Sequence, residues 1–415
     1  MTPPPAPQLP RRLEIDMAYV QRVLVDMLRT PSPTGRTDAV VQYVGERLQE
    51  LGLDLQVTRR GLLNATLPGR RSRPDRAVVV HADTIGCMVE RVKDNGRLQV
   101  AQLGTHSARF AEGAHVLVYT DDPVGTGGCY TGTVLPLKSS GHNYGDEVDT
   151  QGVGWPLVEV RLDEPVHTAQ DTEALGIRVG DFVALEANPV ITPSGFVKSR
   201  HLDDKAGIAA ALGAFKAVRD AHLTPLISAH LLVTIAEEVG HGATHGLDTD
   251  VVEMVAVDNA VVAPLQQSRE DAANIAMLDS TGPFDYHFSR RLIGLAHEHG
   301  VPYTRDTFRH YRSDAASAVE AGLEIRTALV GFGVDSSHGH ERTHLDGIRA
   351  VAELLALYLQ TDLTFPEWDV DDRGALVDFP SRSVQPTALE ERRRGPRSHG
   401  TPPGPDGAGE REPTG

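Results

Sequence analysis

Two cysteines in 415 residues, Cys87 and Cys129, are too few for a disulfide framework. A reducing compartment is the expected setting, with the cytoplasm as the location. No apolar run approaches the length that spans a bilayer. The opening "MTPPPAPQLPRR" lacks the apolar stretch of a secretory signal, so residues 1–12 are expected to form a flexible leader. Basic residues are in short supply as well: 40 Lys plus Arg against 57 Asp plus Glu leave a formal net charge of -17. That balance argues against nucleic acid or an anionic membrane as the partner, and it leaves acids to bind cations. Tandem repeats are missing too.

What is present is a chain that is 40% hydrophobic, enough for a sizeable core. "MAYVQRVLVDML" places Met17, Val20, Val23, Leu24 and Leu28 at helical spacing, and "TDAVVQYVGERLQEL" repeats the signal with Thr37 as its N-cap. "RAVVVHADT" is a β-branched run ending at His81 that reads as a buried strand. From about Met88 to Val197 the character changes to short alternating runs such as "GRLQVAQL" and "AHVLVYT", punctuated by Gly, Pro and Asp. An α/β rhythm then resumes. The Ala-rich helix "RHLDDKAGIAAALGAFKAVRDA" is followed by the strand "LISAHLLVTIA", a helix-loop at "ATHGLDTDV" and the strand "EMVAVDNAVV". The helix "FDYHFSRRLIGLAHEHG", the strand "IRTALVGF" and the helix "HLDGIRAVAELLALYLQ" complete the series.

The expected fold is therefore α/β, a mainly parallel sheet flanked by helices, with a small β-rich domain inserted. Residues 13–87 and 198–365 form the α/β domain and residues 88–197 the insert. Residues 366–415, rich in Pro, Gly and Arg, are expected to be a disordered tail.

Four apolar runs end in metal-binding residue types: "VVVHAD" (His81, Asp83), "TIAEEVG" (Glu237, Glu238), "VAVDNA" (Asp258) and "VDSSHGHER" (His338, His340). A fifth, "RHLDDKAG" (Asp203, Asp204), opens a helix. Ligands bind outside the carboxyl ends of the strands in open α/β sheets, so all five converge on one edge. Taken singly, each has a structural explanation. A His-x-Asp is commonly a hydrogen-bonded pair, Asp203 or Asp204 serves as an N-cap, and Asp258 as a turn residue. Two adjacent glutamates are harder to explain that way, because burying unpaired carboxylates side by side is costly. Divalent cations turn that repulsion into binding.

These residues resemble the M42 family of metallo-aminopeptidases, within the clan of co-catalytic dizinc exopeptidases. The likeness runs from "VVVHADTIG" through "GTVLPLKSSGH", "LGIRVGDFV", "RHLDDKAG", "AEEVG" and "AVDNA" to "SSHGHER". A narrower likeness, carried by "THSARFAEGAHV", "TGPFDYH" and "YRSDAASAVEAG", is to the M42-type hydrolase of the N-acetylglutaminylglutamine amide osmoprotectant system. The resemblance implies a zinc-exopeptidase-like fold and two divalent metal ions per subunit. Asp203 bridges them, His81 and Asp258 complete one site, and Glu238 and His338 the other. It also implies a cis peptide between Asp203 and Asp204, Asp83 orienting the His81 imidazole, and Glu237 as general base. Two His and three carboxylates suit Zn²⁺, with Co²⁺ or Mn²⁺ chemically apt as well. Assembly through the insert implies a homo-oligomer of up to twelve subunits, in which His142 approaches a neighbour's active site. An exposed loop histidine is the alternative for His142.

There are departures from the family pattern. Thr84 stands where a glutamate usually follows Asp83, "GHGATHG" replaces the common segment after the glutamates, and His338, His340 and His344 compete as last ligand. The function expected is hydrolysis of amide bonds in small peptides. The alternatives are an amidase or deacylase acting on an N-blocked dipeptide amide, or a catalytically inactive metal-binding assembly module.

Overall fold

Strands apolar on both faces build the centre of the fold, since only a layer covered above and below by other elements gains from such sequences. In the computed structural model, which describes residues 9–120 and 127–369, four such strands lie side by side and parallel. Their order is Ile227–Thr234, Arg71–His81, Val251–Val262, Arg326–Asp335. Antiparallel strands extend both flanks, Leu63–Leu67 beside Ile227–Thr234 and Glu341–His344 beside Arg326–Asp335, within a twelve-stranded sheet. The sheet is thus mixed, with its parallel strands at the centre.

Alternation sorts each central strand between two cores. Val78, Val80, Leu231, Val233, Val255, Val257, Val330 and Phe332 face the larger one, beneath the helices Met17–Leu28, Leu202–Asp220 and Leu345–Leu359. Val79, Leu232, Met254, Ala256 and Leu329 face the smaller one, with Phe308 and Ala315. The Leu202–Asp220 helix is buried along most of its length, and its alanines and glycines allow close approach. A Cβ on Gly213 would sit 2.7 Å from Val20 Cγ2.

Between Gly86 and Leu185, six strands close into a barrel filled by its own side chains, among them Val89, Val100, Val118, Val134 and Val160. Val190–Ile191, inside the expected insert, and Phe196–Ser199, which crosses its end, pair instead with the large sheet. Arg11 and Arg12, from the expected leader, bind the last helix through Gln360 at 3.2 Å and Glu353 at 2.7 Å. Residues 1–8 of that leader and 370–415 of the expected tail lie outside the described residues.

Two local expectations change. Thr37 precedes its helix but makes no side-chain capping bond. "ATHGLDTDV" forms turns without a helix: Gly246 is in the left-handed region (φ +97°), and the Ala243 N–H goes to the Asp314 carboxylate at 2.6 Å instead of to a helical carbonyl.

Candidate active site

Because the central strands are parallel, their carboxyl ends share an edge, and the predicted residues meet there. His81 is the last residue of its strand and pairs in register with Thr234, three residues before Glu237. Its ring is fixed at both nitrogens. Nδ1 lies 3.0 Å from the Asp83 carbonyl and Nε2 lies 3.1 Å from Asp203 Oδ1. His338 repeats the arrangement, with Nδ1 2.6 Å from the Thr105 carbonyl and Nε2 3.2 Å from Asp203 Oδ2 and 3.5 Å from Glu238 Oε2. A ring N–H given to a carbonyl leaves the other nitrogen free to bind a metal ion. Asp203 therefore turns one oxygen to each histidine.

Ligand atoms of His81, Asp203 and Asp258 lie within 4.8 Å of one another, and so do those of Asp203, Glu238 and His338. Donors about 2.0–2.2 Å from a tetrahedral zinc ion lie roughly 3.3 Å apart. The separations of 3.1, 3.2 and 3.5 Å fit that donor set. Of the competing histidines, His340 is exposed and His344 caps the last helix, accepting from Asp346 N at 3.1 Å.

Asp83 is placed differently from expectation. Its backbone carbonyl, not its carboxylate, takes the His81 ring; the nearer carboxylate oxygen is 3.7 Å from Nδ1. The carboxylate instead accepts from Glu237 N at 3.1 Å, Glu238 N at 3.3 Å and Thr34 Oγ1 at 2.7 Å. It fixes the backbone that aims the two glutamates. Neither Asp203 nor Asp204 caps the helix they open. Both are non-helical, joined by a cis peptide, and Asp204 accepts from His81 N at 3.2 Å.

The geometry adds groups that had no role in the sequence reading. Glu341 accepts from Asp203 N at 3.2 Å and His338 N at 2.9 Å. Asn259 donates to Asp203 Oδ2 at 2.6 Å, and Asp314 accepts from Thr234 Oγ1 at 2.6 Å. All three lie inside quoted motifs ("AVDNA", "GHER", "YRSDAA"), but only proximity in space shows what they touch. His142 is exposed on the insert.

Charge is unbalanced at this edge. Burial raises Glu237 well above the carboxylate range and pushes Glu238 up to about 7 and Glu341 up to about 8. Asp204 and Asp258 are raised too, again by burial first. Burial works against the charged form of Asp203 as well, but hydrogen bonds from His338 and His81 outweigh it and hold the carboxyl low. The histidines respond in kind. Desolvation opposes their protonation, yet the surrounding carboxylates carry His338 to about 11 and His81 well above its usual value. Lys205, next in the chain, does not help. It gives its Nζ to the Met27 and Thr30 carbonyls at 2.9 and 2.7 Å, and burial lowers it to about 7.

A mixed α/β sheet with an inserted barrel and a carboxylate–histidine cluster at the strand ends defines a class of metal-dependent hydrolase fold. The chain belongs to the M42 glutamyl aminopeptidase family, whose model matches residues 61–354. It is 37% identical over 341 residues to "Putative aminopeptidase YhfE" of Bacillus subtilis (strain 168), covering 82% of this chain and 97% of the relative. Its fold matches aminopeptidase APDkam598 of the archaeon Desulfurococcus kamchatkensis with a TM-score of 0.76 at 19% identity, over 87% of this chain and 99% of the other. PhTET1-12s, a dodecamer, matches with a TM-score of 0.69 at 19% identity, over 81% of this chain and 98% of the other. The protein is accordingly a peptide hydrolase of a family that uses divalent metal ions. Among the described residues, no helix is long and apolar enough to cross a membrane.

Proposed function

We propose that the protein is a dimetal aminopeptidase acting on small peptides, with His81, Asp203 and Asp258 holding one divalent ion and Asp203, Glu238 and His338 the other. The observation that carries this reading is Asp203, whose two oxygens address two separate histidines at 3.1 and 3.2 Å. Zn²⁺ suits the donors best, with Co²⁺ and Mn²⁺ as substitutes. Bound there, the ions polarise the scissile carbonyl and ease deprotonation of water.

The chain's own groups do the rest. Glu237, 3.9 Å from His81 Nε2 and lining a cavity with Asp203, Glu238, Asp258 and His338, takes the proton of the attacking water and returns it to the leaving amine. Burial raises its pKa above the usual carboxylate range, which helps it hold the proton it takes before passing it on. Asp83 acts through the backbone, holding the Glu237–Glu238 pair in place.

The finer readings rest on likeness. Residues 88–197, with their barrel, serve as the assembly module of a homo-oligomer in the cytoplasm, and a twelve-subunit shell is the form we propose on the dodecameric relative. A monomer in light scattering rules that out. The motifs "THSARFAEGAHV" and "YRSDAASAVEAG" support a link to osmoprotectant dipeptide metabolism. A second reading follows from them, an amidase acting on the N-blocked dipeptide amide. An inactive metal-binding module is the least supported, because every predicted ligand and Glu237 is assembled at one edge.

The test incubates metal-reconstituted protein and its Glu237→Gln variant with Gln-Gln amide and with N-acetylated Gln-Gln amide, reading products by mass spectrometry. Cleavage of the free-amine peptide alone, lost by about 10³-fold in the variant, is the aminopeptidase result. Cleavage of the acetylated compound selects the amidase.

A further inference from the structure

The segment "YRSDAA" has so far supplied only Asp314. It is tied down on several sides. Asp314 accepts from Thr234 Oγ1 and from Ala243 N, both at 2.6 Å, which fastens it to the loop carrying Glu237 and Glu238. Gly242 leaves room for this clamp, since a Cβ there would lie 2.1 Å from Asp314 Oδ1. Arg312 is held by Glu320 at 2.7 Å, and the Tyr311 carbonyl accepts from Ser280 N at 2.9 Å. The Tyr311 ring packs on buried Phe308, with centroids 5.2 Å apart.

All of this fixes one group that has no partner among the described residues. The Tyr311 hydroxyl is buried and makes no hydrogen bond among the described residues, and Tyr311 lines the cavity of about 640 Å³ whose wall also includes Asp203, Glu237, Glu238, Asp258 and His338. A hydroxyl buried unpaired costs free energy, and rigid, unpaired polar groups in a cavity are where a ligand's complementary atom sits. A phenol with an ordinary pKa of about 10 presents an O–H at neutral pH. The carboxylates nearby have their own duties in the reading above, and the Asn259 amide is committed to Asp203 and Asp258. A peptide's amino terminus brings donors to this acidic wall; its scissile carbonyl oxygen brings an acceptor.

We propose that Tyr311 is a catalytic residue whose hydroxyl donates a hydrogen bond to the oxygen of the scissile carbonyl as that oxygen gains negative charge. This rests on the hydrolase reading of the site. As water attacks the carbonyl carbon, the C=O π electrons move onto oxygen and the Tyr311 O–H stabilises them without giving up its proton. The water's proton goes to Glu237 and then to the amine nitrogen as the C–N bond breaks, so Tyr311 ends the cycle unchanged. Its ring, being locked, pays no reorganisation at the moment of reaction.

The experiment compares metal-loaded wild type with Tyr311→Phe, which keeps the ring and removes the donor. We expect kcat to fall about 100-fold, the scale of losing one oxyanion donor, with KM within about twofold. A phosphinic dipeptide analogue, whose P–O⁻ mimics the tetrahedral oxygen, should bind about 100-fold more weakly, while a product amino acid binds as before. The melting temperature should stay level or rise, because an unpaired hydroxyl is being deleted. Unchanged kcat, a rise in KM alone, or a marked fall in melting temperature overturns the proposal while leaving the hydrolase reading intact. Wild-type protein inactive on every peptide overturns both.

Discussion

The two ends of the central sheet bury charge in opposite ways. Near the amino ends of the strands, Arg76 and Glu253 are register partners on neighbouring strands, both fully buried. Arg76 donates to the Tyr358 carbonyl at 2.5 Å and lies over the Tyr358 ring, and the Tyr358 hydroxyl donates to Glu253 at 3.3 Å. Arg291 joins the same group, so acids and guanidinium groups occur together. At the carboxyl ends, Asp83, Asp203, Asp204, Asp258, Asp314 and Glu341 are buried and Glu238 half-buried around His81 and His338, and neither lysine nor arginine forms an ion pair with them among the described residues. One end is neutralised by its own sequence. The other needs charge from outside, and that imbalance marks the site. Buried cation and acid in register is a structural solution; buried acid without cation is a binding solution.

Breaking the unbalanced end has the larger consequence. Chelation should reduce peptide hydrolysis to background and zinc should restore it, whereas Asp203→Ala should stay inactive and retain fewer than two ions by elemental analysis. At the balanced end, Glu253→Gln should leave metal content and kcat alone but cost about 3 kcal/mol in chemical denaturation, because buried guanidinium charge loses its counterpart. Asp83→Asn keeps the shape and weakens the acceptor for the Glu237 and Glu238 N–H groups, so kcat should fall roughly 10- to 100-fold with the fold intact.

The smallest effect separates the two ends most sharply. The folded-state pKa of Glu238 is about 7 and that of Glu341 about 8, both above the carboxyl value of 4.5. Metal-free protein therefore binds more protons folded than unfolded, and that contribution to stability is full below pH 4.5 and lost as pH rises towards 8. Melting curves with chelator should drop across that window, and those with saturating zinc should not. For the same reason Glu238→Gln should raise the metal-free melting temperature while lowering the metal-loaded one. A Glu238→Gln protein destabilised in both states would mean the site is a balanced cluster like the one around Glu253.

Much of this was legible in the chain because its signals are local. The run from Ala77 to Val80, the Ala-rich helix from Lys205 onward and the adjacent Glu237–Glu238 each declare themselves within a few residues. The illegible parts depend on contacts between distant segments. "ATHGLDTDV" has helix-forming letters, yet Asp314, some seventy residues away, claims the N–H of Ala243. Glu341 and Asn259 are unremarkable acids and amides until folding sets them on Asp203. The family resemblance implies that Asp83 orients the His81 ring. Its carboxylate in fact faces a loop more than 150 residues on, and the ring goes to its carbonyl.

By itself the sequence determined the layers, the strands that carry the candidate ligands and the chemistry those residue types suit, since hydrophobic period and residue type are properties of short segments. Only the tertiary structure decided which oxygen of Asp203 meets which histidine, that His338 and not His340 or His344 turns inward, and that the Tyr311 hydroxyl is left without a partner among the described residues. Those outcomes are distances between side chains far apart in the chain, set by sheet register and by how loops close over the strand ends. No local pattern encodes them.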